Sequence, residues 1–84
     1  MEKMPIGKIT HYFPKVGVGV IELSDTLKVG DRISIESKEG AFEQTVDSMQ
    51  VEHAQIQEAK AGQAIGMKVL QPVHEGNLVY KLVG

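Results

Sequence analysis

The sequence predicts an all-β domain closed into a small barrel, and three observations carry that expectation. Val and Ile total 17 of 84 residues, whereas Leu and Ala total 10. β-branched side chains lose rotamer freedom in a helix and pack well on a pleated sheet. Nine glycines and three prolines cut the chain into pieces of strand length. Within those pieces apolar and polar residues alternate with a period of two. Closure has its own motive. With no cysteine to cross-link it, a short sheet gains most by curling on itself, which buries one face and leaves few open edges.

Six strands follow in order. Gly7, Ile9, His11 and Phe13 share one face of the first, with Lys8, Thr10 and Tyr12 on the other. Val16–Leu23 is the second, and its Gly17 and Gly19 indicate a coil or a close backbone approach. Arg32–Glu36 alternates cleanly as the third. From Phe42 to His53 the register changes, because Phe42 and Val46 have one parity and Met49 and Val51 the other. A bulge or bend near Asp47-Ser48 reconciles them, since one extra residue flips the face that follows. Ile65, Met67 and Val69 mark the fifth strand, and Leu78, Tyr80 and Leu82 the sixth. Glu52–Ala61 is made of good helix formers and reads as a connecting loop with one helical turn.

A short pattern recurs at Leu27–Ile33, Ala59–Ile65 and Val73–Val79. Each copy has a glycine, then a small polar residue, and two positions later a core side chain. Glycine adopts φ > 0 without steric cost, so each copy reads as a tight turn that launches a strand.

Composition excludes several functions. The net charge of −2 argues against bulk attraction to nucleic acid or anionic membrane, and neither DNA nor a membrane is expected as a partner. Without cysteine there is no thiolate metal site and no thiol catalysis. Met1–Pro5 lacks the apolar stretch of a signal peptide, so a cytoplasmic domain spanning residues 1–84, with its core over about 6–83, is expected.

Motifs of catalysis are missing. There is no GxxxxGK[ST] loop, and Gly17-Val18-Gly19 lacks the third glycine and following helix of a dinucleotide cradle. His11, His53 and His74 show no metal-ligand spacing, and no serine stands in a GxSxG context. No catalytic, cofactor-binding or metal-binding residue is therefore assigned, and no enzyme activity and no cofactor are expected. The segment Lys8–Lys15 combines two lysines, a histidine and two of the four aromatics. That chemistry suits phosphate contact and base stacking, which makes Lys8, His11, Tyr12 and Lys15 the candidate contact residues. On the structural side, Phe13 reads as core and Tyr12 as covering a barrel end.

From Val18 onward, the succession VIELSDTLKVGDRISI, SMQVEH, AKAGQAIGMKVL and VHEGNLVYKLV resembles the second-domain barrel of translation elongation factor Tu and its GTPase relatives. Together with the opening GKITHYFPKVGV from Gly7, it is more similar still to the small barrel of collagenase-like peptidases. The resemblance spans about residues 6–83. It implies a single six-stranded, closed, antiparallel Greek-key barrel of the translation-factor type. The residues that hold the aminoacyl end of transfer RNA do not carry over: Lys8 and Ile9 stand where an acidic pair is expected, Gln50 replaces a glutamate and Val16 an arginine.

The leading expectation is a non-catalytic, translation-factor-like interaction module that docks on RNA, a ribonucleoprotein or a protein partner. The alternative is an accessory barrel subunit that completes a separately encoded collagenase-like peptidase-family enzyme.

Overall fold

The computed structural model describes residues 2–52 and 54–83, over which the chain is all-β. Its strands are β1 (Glu2–Phe13), β2 (Val18–Leu23), β3 (Leu27–Lys28), β4 (Arg32–Ser37), β5 (Gly40–Thr45), β6 (Met49–Val51), β7 (Ala54–Ile56), β8 (Glu58–Ala59), β9 (Ala64–Lys68) and β10 (Leu78–Val83). Eight of them form one sheet in the order β5-β4-β10-β1-β2-β9-β6-β7, while β3 and β8 pair separately. Every pairing is antiparallel.

Neither sheet is closed, which corrects the expected closed six-stranded barrel. The chain leaves the sheet at Val46–Ser48, where the change of parity placed a bend. On one side of that break β5 pairs with β4, and on the other β6 pairs with β9. One long strand thus becomes two short ones with different neighbours, and the ladder ends at β5. Its edge is not stranded, because the Gln44 side chain reaches the backbone of Lys68 and Leu70 beyond the end of β9.

The described residues of the Glu52–Ala61 stretch contain no helical turn. They make β7 and β8, and pairing with β6 and β3 overrides the helix preference of Ala, Gln and Glu. His53 lies outside the described residues.

Two irregularities reshape β1. Pro5 pairs with Tyr80 and Gly7 with Val79, which leaves Ile6 as an extra residue against β10. Ile9 pairs with Ile21 and His11 with Val20, which leaves Thr10 extra against β2. The Thr10 hydroxyl donates to the Val20 carbonyl at 3.4 Å across this second shift. Each extra residue flips the face that follows. Ile6 and Ile9 are therefore both buried, and Tyr12 packs against the core. Phe13, expected inside, is 47 % exposed.

The core is Ile6, Ile9, Ile21, Leu23, Leu27, Ile33, Ile35, Val46, Met49, Ala59, Ile65, Met67, Val69, Val73 and Val79. Met49 and Met67 fill it as directly paired neighbours across β6 and β9. In β10 the inward residue is Val79, while Leu78 is 46 % exposed.

The recurring glycine pattern has a physical basis that its sequence only hinted at. In Lys28–Asp31, Lys60–Gln63 and His74–Asn77 the fourth N–H donates to the first carbonyl, at 3.1, 3.2 and 3.1 Å. The third residue is glycine with φ of 98°, 90° and 90°, as a type II turn requires. The fourth side chain then accepts a hydrogen bond from the first N–H, at 2.9, 2.7 and 2.9 Å. Each turn also grips one residue of another segment: the glycine N–H donates to its carbonyl, and its N–H donates to the fourth residue's carbonyl. The gripped residues are Val46, Leu23 and Ile9, with all six bonds between 2.7 and 2.9 Å. All three are buried, as are Ile33, Ile65 and Val79, three positions beyond the glycines. One local design thus launches a strand and pins a core residue at three places.

Candidate functional site

The four residues chosen from the sequence lie along β1 and the turn that follows it, with Tyr12 and His11 on different faces. Lys8 lies midway along β1, between Glu22 of β2 and Leu78 of β10. Lys15, seven positions further on, sits in the turn after β1. The shift at Thr10 turns Tyr12 toward the core, where its ring is half-buried. His11 instead faces out and packs on Phe13, with ring centroids 4.3 Å apart and planes tilted by 60°. The outward aromatic pair is therefore His11 and Phe13, a pairing that strict alternation from Gly7 allowed but assigned to the inner face.

A groove of about 680 Å³, open to solvent, lies between the β4–β5 turn and the His74–Asn77 turn. Its walls carry Glu36, Lys38, Glu39, His74 and Glu75, and Leu78 adds apolar surface. Smaller depressions of about 220 and 280 Å³ adjoin it. The Glu36 carboxylate is engaged by Lys3. That contact, through its hydrogen bond first and its charge second, raises the Lys3 pKa above the usual 10.5. Sequence reasoning missed this groove, because its two walls are turns that lie 35 or more residues apart.

Elsewhere, charged and buried polar side chains serve the fold. Lys28 pairs with Glu58, Arg32 with Glu43 and Lys81 with Asp31. Among the described residues no buried side-chain nitrogen or oxygen lacks a hydrogen-bond partner. Nor do three or more histidine or acidic side chains among them gather as metal ligands. No helix among them is long and apolar enough to cross a membrane.

No family model matches the chain. It is 42 % identical over 81 residues, 95 % of its length, to an uncharacterized protease of Methanocaldococcus jannaschii. This chain spans only 20 % of that curated relative. The C-terminal domain of a U32-peptidase-family protein from Geobacillus thermoleovorans superposes with a TM-score of 0.89, over 95 % of this chain and 93 % of that domain, at 20 % identity. Its selenomethionine variant gives 0.85 over 89 % and 95 %, again at 20 % identity.

The fold is that of a U32-peptidase C-terminal domain.

This finding corrects the expectation of a translation-factor-like, RNA-binding module. The similarities run to a protease and to a peptidase C-terminal domain, and so favour the collagenase-like side of the resemblance.

Proposed function

We propose that this chain is a non-catalytic accessory domain of a peptidase-family protein, acting by contact with the part that carries the chemistry. The observation that carries the reading is the match to one fifth of a much longer protease. The architecture supports it, since hydrogen-bonding side chains such as Asp31, Gln44, Gln63 and Asn77 are committed to turns and to the sheet edge. Fold alone does not transfer activity, so support comes from how the side chains are used.

The test compares the intact Methanocaldococcus jannaschii relative with a form lacking the matching segment, and assays this chain alone on unfolded casein and gelatin. The reading expects no cleavage by this chain. It also expects a truncated relative with lowered thermal stability or activity that recovers when this chain is added. Cleavage by this chain that one substitution abolishes would overturn the non-catalytic part. A truncated relative that behaves like the intact one would overturn the accessory part.

A further inference from the structure

Among the described residues five large apolar side chains are exposed, and three of them stand on segments that meet at one end of the sheet. Phe13 ends β1 and is 47 % exposed, Val16 in the turn is 63 % exposed, and Leu70 beyond β9 is 69 % exposed. Backbone geometry brings them to one end of the sheet. The Val16 and Gly17 N–H groups donate to the Phe13 carbonyl, and the Val69 N–H donates to the Gly17 carbonyl at 2.9 Å. Phe13 pairs with Val18, and Val18 in turn with Lys68. His11 packs beside Phe13 on the same outer face, and Gly17 takes a φ of 68° in the turn.

Such a concentration of apolar surface at one end of a small domain marks a contact site. Its charge specifies the partner further. Lys15 and Lys68 flank the patch, and neither takes part in an ion pair among the described residues. Cations with no carboxylate of their own, set around an apolar centre, match a surface with an apolar centre and an acidic rim.

The geometry points to the Phe13–Val16–Leu70 end as the face that docks on the remainder of a peptidase-family protein, against an apolar surface bordered by carboxylates. This rests on the accessory-domain reading above, and the size of the relative supplies the body to be covered, since four fifths of it lies outside the matching segment.

The test places this chain in the relative in exchange for its matching segment and follows amide hydrogen exchange, with this chain alone as reference. Amides of 13–17 and 68–71 should become protected in the chimera. Phe13→Asp and Leu70→Asp should remove that protection, and Lys15→Glu with Lys68→Glu should lower it at least tenfold. The same substitutions in this chain alone should leave its melting temperature within a few degrees, which separates lost docking from lost folding. Protection confined to another face, such as the groove beside Leu78, would overturn this surface and leave the accessory reading intact. No protection anywhere would overturn both. A dimer of this chain alone, dispersed by Phe13→Asp in sedimentation, would overturn the assignment in favour of a second copy as occupant.

Discussion

Gln44 and Leu70, twenty-six residues apart, are joined as two strands of a sheet would be. The Gln44 Oε1 accepts the Leu70 N–H at 3.0 Å, and its Nε2 donates to the Lys68 carbonyl at 2.9 Å. The side-chain amide has the donor and acceptor of a peptide group, so it replaces a neighbouring strand where the ladder stops. The residue is 4 % exposed, in a position that alternation would give to an apolar side chain.

Removing that amide leaves two backbone groups without their partner. Gln44→Leu should therefore cost about 1–3 kcal/mol despite its similar size. Gln44→Glu should cost a comparable amount, since a carboxylate cannot donate to the Lys68 carbonyl. Urea denaturation measures both, and a Leu variant within ~0.5 kcal/mol of the parent would show that the bridge contributes nothing.

The glycines should separate into two classes. A Cβ added at Gly7 would stand 2.5 Å from the Glu22 carbonyl oxygen and 2.9 Å from Ile21 Cγ2, so the paired strands would have to move. A Cβ at Gly30, Gly62 or Gly76 meets nothing within 4 Å, and only the positive φ opposes it. Each turn glycine changed to Ala should cost about 1–2 kcal/mol, and Gly7→Ala clearly more. Thermal melts of the four variants check the ranking.

Burial sets a second contrast, within β1. Ile9→Ala removes a fully buried side chain that is also gripped by the His74–Asn77 turn, and should cost about 2–5 kcal/mol. Phe13→Ala, although it removes a larger side chain, should cost under ~1 kcal/mol, because the ring is half in solvent. Equal losses in the two variants would place Phe13 in the core after all.

The Lys3–Glu36 pair sets a pH dependence of known sign. The folded-state pKa of Lys3 is raised above 10.5, so its contribution is fully present below that value and is lost as pH rises through the folded-state pKa. Both partners are solvent-accessible, so the effect should be small and should fade with added salt. Comparing wild type with Lys3→Ala between pH 8 and 12 checks it: the alkaline loss should be shallower in the variant.

Much of this molecule was legible from local chemistry. The Val and Ile excess, the glycine corners and the three-fold turn pattern lead to an all-β chain and to buried Ile33, Ile65 and Val79, because these preferences act within a few residues. The parity change between Val46 and Met49 located the break between β5 and β6 for the same reason. Only tertiary structure decided the rest. An extra residue at Ile6 or Thr10 is defined by what the partner strand offers opposite it, and so the outward turn of Phe13 and the inward turn of Tyr12 could not be read from β1 alone. Within the Glu52–Ala61 stretch, expected as a loop with one helical turn, Ala54–Ile56 and Glu58–Ala59 became strands because β6 and β3 supply hydrogen-bond partners. The open sheet, its Gln44 bridge and the groove beside Leu78 likewise depend on residues brought together from distant parts of the chain, and sequence patterns that repeat every two residues carry no information about those encounters.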